Sequence, residues 1–496
     1  MSRADLGVWA DFLPDEEMDV DADVSDFLAP VVTDDIELPG DTPPVNVDGA
    51  RRRVGGGGCH PDVTADLRFD PYHRELWTSG SQATWVSAKA ARDQQAIGTS
   101  RIPKHLDADV KDAASRILAG GRLHAYLDVL AALDQWRVAT GEQLAAITGI
   151  PHLASGKSSM MRDLFTVGAV DVGVFRNALT PTRMTPRATL YRPGTSTFVE
   201  KTLAPELTYA EWLSLTGGHT QKMGGQGHDR HGVLTTELAV RVAEHTTAAA
   251  VVGERFSQAN MLGYTGLGLP SQDTARYTKS GDMTVIRQDG ARIVVELTAT
   301  VGRALERKIE TWVRLLEDRR MDASGLAVIF LTAEKLDGDT SGNVRSTVHR
   351  MVKDAVRLSP GVTYDRTGSR IGVADWREWF PTEHVSTDRF ENLTVNRPVD
   401  GVWQEASFLD PADLPFAPAG TWATDAIDQL TFLRGIPRWL RDGRRPLDLS
   451  DVLLRTAGYQ DVPVPAMQRP SDRDPRPFGG AHGATGEALP PKRMRG

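Results

Sequence analysis

The run GLAVIFLTA, Gly325 to Ala333, carries no charge and no polar alternation. A strand of that kind is buried on both faces, so its sheet needs cover on each side. Helices can supply it. Just upstream, GRALERKIETWVRLLEDRR (302–320) sets Leu305, Ile309, Trp312 and Leu316 on one stripe, with Arg303, Arg307 and Arg314 off it. Before that come a helical pattern, GVLTTELAVRVAEHTTA (232–248), a strand, VVGERF (251–256), and a Gly-rich connection over 260–280. The order helix, strand, strand, strand, helix, strand predicts an α/β unit, one mixed sheet flanked by helices, within an α+β chain.

The second and third of those strands are the two arms of DMTVIRQDGARIVVELT, Asp282 to Thr298. Its turn decides where two carboxylates stand. A two-residue Asp289-Gly290 loop puts Met283 across from Glu296 and separates the acids onto opposite faces. A three-residue Gln288-Asp289-Gly290 loop, with Gly290 left-handed, pairs Arg287 with Ala291 and sets Asp282 across from Glu296. The three-residue form is common and is the expected one here. Opposed like charges destabilise a sheet unless neutralised, and a divalent cation does that well. Thr298 shares their face, and Met283, Val285, Ile293, Val295 and Leu297 form the packed side.

Two helical residues point to the same place. Lys308 follows Leu305 by three and precedes Trp312 by four, which sets it beside the apolar stripe. A lysine there either meets an anion or snorkels at the edge. Glu237 follows Leu234 by three and precedes Val240 by three, so it lies on a partly apolar face, with a solvated helix carboxylate as the competing reading.

A different pattern precedes this unit. RLHAYLDVLAALDQW (122–136) is an amphipathic helix, and TGEQLAAITGI (140–150) is a short helix with Thr140 as N-cap and Gly149 as stop. A third helix is expected over about Ala154 to Val167, then two strands, AVDVGVF and ATLYRPG. Lys157, Arg162, Arg176, Arg183, Arg187 and Arg192 make this region locally basic, which suits phosphate contacts. SGKSS (155–159) is not a phosphate-binding P-loop: Pro151 occupies the required glycine position and no strand precedes it.

Length and composition frame the rest. A chain of 496 residues, 40% hydrophobic and 25% charged, reads as a soluble multidomain protein. Without an apolar span or signal-like start, a cytoplasmic location is expected. The single cysteine, Cys59, excludes an internal disulfide, and Cys59-His60 reads as a loop dipeptide. The net charge of -9 owes much to the first 50 residues, where Arg3 is the only cation. The expected organisation is a disordered acidic tail and Gly-rich linker (1–60), a partly helical lead-in (61–120), two domains (121–200 and 225–380), a C-terminal helical extension (381–465) and a disordered Pro/Gly-rich tail (466–496). His219, His228 and His231 cluster in a Gly-rich stretch, and His231 is a candidate phosphate contact. HExxH, GxSxG and kinase signatures are absent from the sequence.

Helix, short helix, helix and β-hairpin, carried by TGEQLAAITGI, KSSMMRDLFTVGAV and TLYRP, resemble a winged helix-turn-helix. RHGVLTTELAV, GDMTVI, VVELTATVGRALERKIETW and GLAVIFLTA resemble the core of the PD-(D/E)XK nuclease (restriction-endonuclease-like) superfamily. Together they are similar to the replication-relaxation family of bacterial plasmids and mobile elements. The resemblance implies a DNA-binding protein, in cleaving form a metal-dependent nuclease or nickase. It implies double-stranded DNA as partner, with a homodimer or a replication protein of the element as further partners. In that reading Asp282 and Glu296, with Glu237, hold Mg²⁺ or Mn²⁺, and Lys308 and Thr298 complete the catalytic set. Lys157, Ser158, Arg162, Arg183, Arg187 and Arg192 contact DNA. The chain departs from the superfamily at two positions: Thr298 stands where its lysine is found, with Lys308 as substitute, and Gly281 where its proline precedes the acid. A nuclease-fold regulator that binds DNA without cutting it, and an interaction subunit of a mobile-element or phage assembly, are the alternatives.

Overall fold

A computed structural model describes residues 81–118, 121–176, 184–207, 209–216, 229–258, 280–335 and 344–417, with the pair 51–52 and parts of 63–80 and 427–441. The tails expected over most of 1–60 and over 466–496 lie outside the described residues, as do His219 and His228. Among the described residues no helix is long and apolar enough to cross a membrane.

The first half is mainly helical: α1 (Ala88–Ala96), α2 (Val110–Leu118), α3 (Leu123–Trp136), α4 (Gly141–Thr148), α5 (Ser159–Thr166) and α6 (Tyr209–Thr216). Thr140 caps α4 as its sequence predicts: its hydroxyl accepts the Gln143 N–H at 3.1 Å, and the Gln143 side chain accepts the Thr140 N–H at 3.0 Å. The third helix is shorter than its spacing predicts. Residues 151–155 form a 3-10 turn, the chain reverses at Gly156, and α5 begins only at Ser159. A small antiparallel sheet closes the region, with β1 (Gln82–Val86), β2 (Ala139–Thr140), β3 (Val170–Arg176) and β4 (Met184–Pro193) in the order β1-β3-β4-β2.

The second half is built on a seven-stranded mixed sheet. Its strands are β5 (Ala250–Gly253), β6 (Met283–Ile286), β7 (Arg292–Thr298), β8 (Leu326–Thr332), β9 (Ile371–Asp375), β10 (Thr394–Val399) and β11 (Val402–Ser407). The spatial order is β11-β10-β9-β8-β7-β6-β5, with β7, β8 and β9 parallel and the other pairs antiparallel. Helix α7 (Asp229–His245) covers one face through Leu234, Leu238 and Val242, which join Met283, Val285, Ile293, Val295 and Leu297. On the other face, α8 (Arg303–Asp318) and α9 (Val344–Leu358) pack Ile309, Trp312, Leu316, Val348 and Val352 onto Val294, Val328 and Phe330. GLAVIFLTA is thus covered on both sides, as an uncharged strand requires.

Three expectations about organisation are corrected. The helical region and the sheet do not have separate cores: Leu130, Leu144 and Leu164 belong to the same apolar cluster as Leu238 and Ile293. The segment from 381 is not a helical extension, because β10 and β11 continue the sheet and Val385–Ser386 pairs with Arg51–Arg52, inside the segment read as a linker. Farther on, Ile427, Leu430, Leu433 and Ile436 pack against β5 and β6, and the Trp136 indole donates to Gly435 C=O at 2.8 Å.

Candidate functional site

The hairpin of β6 and β7 adopts the three-residue loop. Met283 pairs with Val295 and Ile286 with Arg292, and the Arg287 N–H donates to Ala291 C=O at 2.9 Å. Gly290 has φ 85°, the left-handed conformation this turn requires. Extending the register by one residue sets Asp282 across from Glu296. The chain bends there, and the Asp282 N–H donates to Val295 C=O at 3.1 Å. The glycine before it is there for closeness: a Cβ on Gly281 would stand 2.2 Å from Val294 Cγ1, so proline has no room.

Each acid meets a nitrogen donor from a different helix. Lys308 Nζ on α8 lies 2.5 Å from Glu296 Oε2, and His231 Nε2 in the first turn of α7 lies 2.9 Å from Asp282 Oδ1. Further donors fix both carboxylates: the Trp312 indole N–H reaches Glu296 Oε1 at 2.6 Å, and the Leu297 N–H reaches Asp282 Oδ2 at 2.6 Å. The carboxylates are the deeper layer, with side chains 2% (Glu296) and 16% (Asp282) exposed. The cations face solvent at 27% (Lys308) and 30% (His231).

Two carboxylates in one site split their affinities for the proton. Burial, followed by the nearby Asp282 charge, pushes Glu296 up to about 7 against the pull of Lys308. Burial also raises Asp282, but His231, then Lys308 and the hydrogen bonds, outweigh it and hold it at about 2. Lys308 and His231 are both raised: burial lowers each, and the carboxylates more than offset it.

Glu237 is not in this group. Six residues along a helix from His231 turn it about 240° around the axis. It is fully buried, accepting from Arg68 at 3.0 and 3.3 Å, Arg241 at 2.9 Å and the Gln143 amide at 3.2 Å. Its carboxylate is spent on those donors, so the expectation that it holds a metal is corrected. Burial raises its pKa, and Arg68 and Arg241 bring it below the ordinary value. Thr298 is buried on β7 beside Thr332 of β8, and an uncharged hydroxyl there cannot replace the ammonium of Lys308.

No protein-family model, curated protein or solved structure matches the chain.

Among the described residues, no three His, Cys, Asp or Glu side chains gather closely enough to form a metal centre. Two carboxylates on one face nonetheless fit a hard divalent cation, which one or two carboxylates hold while waters fill the other positions.

The expected DNA contacts fare differently. Lys157 is exposed and Arg162 is half-buried against Asp163. Ser158 is buried (4% exposed), so it is removed from the set. Arg192 is held by Asp171 at 3.2 Å and stacks 4.4 Å over the Trp85 ring, an anchored position unsuited to reaching a phosphate. Arg183 and the side chain of Arg187 lie outside the described residues. The outer stripe of α5 is Ser159, Arg162, Asp163 and Thr166, and its second half is covered. Arg116 of α2 donates to Asp163 at 2.9 and 2.7 Å, Tyr126 donates to it at 3.0 Å, and Arg92 of α1 donates to Thr166 C=O. Fully buried Ile117 contributes ~1.5–3 kcal/mol, so α2 is held there by core packing as well as charge. Only the first turn of α5 faces outward.

Sequence reasoning missed three partners. The sequence points His231 to phosphate and not to Asp282, and it sets Trp312 on the stripe without naming Glu296, although an indole N–H requires an acceptor. Arg68 left no local signal, but Arg241, four residues after Glu237, was a visible partner.

Proposed function

We propose that the chain is a metal-dependent DNA nuclease or nickase of the replication-relaxation kind, with a winged helix-turn-helix followed by a PD-(D/E)XK-type sheet. One observation carries the reading: Asp282 and Glu296 meet across the β6–β7 hairpin, and Lys308 from the next helix lies 2.5 Å from Glu296. That is the place where the missing lysine after Glu296 must be replaced. The order α3, α4, α5 and the β3–β4 hairpin, with β2 paired to β4, supports the DNA-binding half.

Asp282 and Glu296 would hold Mg²⁺ or Mn²⁺. Such an ion acidifies bound water and neutralises phosphate charge. The chain's own residues do the rest. The Trp312 and Leu297 N–H groups hold the two carboxylates in place, and Lys308 presents its ammonium at the solvent side, where it can donate to a phosphate oxygen or orient the attacking water. Lys157 and Arg162 offer charge to the backbone of a duplex.

The experiment is incubation of supercoiled plasmid with the full chain and Mg²⁺ or Mn²⁺. Nicked or linear product is expected from wild type, none from Asp282→Ala or Glu296→Ala, and about 10²-fold less from Lys308→Met. Intact plasmid with wild type in both metals sinks the reading. A second reading, a DNA-binding regulator without cleavage, is favoured by one observation: His231 Nε2 and Lys308 Nζ lie 2.9 and 2.5 Å from carboxylate oxygens that a metal would need. It expects salt-dependent duplex retention that survives Asp282→Ala and weakens in Lys157→Ala/Arg162→Ala.

A further inference from the structure

We infer that His231 is the positioning residue of Asp282: it fixes the carboxylate that meets the metal. The inference rests on the metal-dependent reading above. Asp282 lies at the bend before β6, where its N–H donates to Val295 C=O at 3.1 Å and its neighbour Gly281 donates to Ser257 C=O at 2.8 Å. Its carboxylate orientation is set by the Leu297 N–H on Oδ2 and by His231 Nε2 on Oδ1. An ionised carboxylate only accepts, so Nε2 carries the hydrogen. Without His231 one oxygen is free to turn about the final side-chain bond.

The histidine is itself held. The turn that carries it is pinned at several points: Asp229 accepts the Trp85 indole N–H at 2.7 Å, Gln143 donates to Val233 C=O at 3.0 Å, and Thr236 donates to Val138 C=O at 3.0 Å. Those partners come from β1, α4 and the link before β2, so the helical region sets the position of the imidazole. Second-layer partners that orient metal-holding groups typically matter by 10–100-fold in metal affinity or activity.

The test compares wild type, His231→Ala, His231→Gln and Asp282→Ala as full chains. The readouts are the Mn²⁺ concentration that half-saturates plasmid nicking and Mn²⁺ affinity, measured by electron paramagnetic resonance of the free ion. For His231→Ala we expect about a tenfold higher half-saturating Mn²⁺ and weaker Mn²⁺ binding, with the rate at saturating metal within about threefold of wild type. His231→Gln, whose amide can donate to Oδ1, should recover most of the loss. A purely structural role would instead lower the melting temperature and leave half-saturation unchanged, which overturns the inference. So does a histidine variant with wild-type Mn²⁺ dependence when Asp282→Ala is defective, although the nuclease reading then stands. Should wild type bind Mn²⁺ without cutting, weaker binding in His231→Ala still supports the positioning role while the nuclease reading fails. Wild type that neither binds Mn²⁺ nor cuts overturns both.

Discussion

Helix α7 contributes to two clusters of acids and cations that differ in burial and in balance. On one side Arg68 and Arg241 bind Glu237, Glu244 and Asp70, with every one of these side chains at most 3% exposed. On the other, His231 and Lys308 bind Asp282 and Glu296 with the cations open to solvent. The sealed cluster joins the lead-in segment to α7, and in it Asp70 and Glu237 are both pushed toward the ionised form. The open cluster holds one acid low and one high, as two carboxylates sharing one site do. Clusters built from acids and cations alike therefore differ in access to solvent and in how evenly their acids are held.

The largest expected effect tests the sealed side. Glu237→Ala leaves Arg68 and Arg241 without their shared partner and should cost ~3–5 kcal/mol in urea denaturation. Asp282→Ala should cost within ~1 kcal/mol, because its neighbours can reach water. The reverse order would erase the distinction between the clusters.

A smaller effect follows from Glu296. Its carboxyl titrates near 7 in the fold, above its unfolded value, so the folded state binds that proton more tightly. Its contribution to stability is therefore full at low pH and is lost as pH rises through about 7. Asp282, held at about 2, works in the opposite sense, its contribution being lost only in strong acid as pH falls toward 2. Denaturation midpoints at pH values from about 5 to about 8 should fall more for wild type than for Glu296→Gln. Parallel curves would mean that the pair does not split.

The smallest effect lies on the surface. Arg314 and Glu310 form an exposed pair at 3.5 Å on α8, and Arg314→Ala should change stability by no more than ~0.5 kcal/mol. A larger loss would show that access to water does not separate the two clusters.

The hairpin and α8 were readable because their determinants are local. Alternation and the QDG loop define the register, and the Leu305, Ile309, Trp312 stripe carries Lys308 to the same end of the sheet. The role of Glu237 is hidden because periodicity reports only that a face is inward, and Arg68 lies 169 residues away in sequence. The cover on α5 was hidden for the same reason: Arg116 and Asp163 carry no shared motif. β10 was obscured by Pro398, which is unusual within a sheet, although in β10 it pairs with Trp403 of edge strand β11.

The QDG loop also has a genetic consequence. An in-frame loss of the Gln288 codon would leave Asp289-Gly290 as a two-residue turn still closed by Arg287 and Ala291, and Asp282 would stay across from Glu296. The register moves only when a residue is lost or gained within an arm, between Asp282 and Arg287 or between Ala291 and Glu296, and such a change also turns the residues beyond it onto the opposite face. A lineage of such chains can therefore shorten the turn and keep the paired site, but it cannot shorten an arm without losing it.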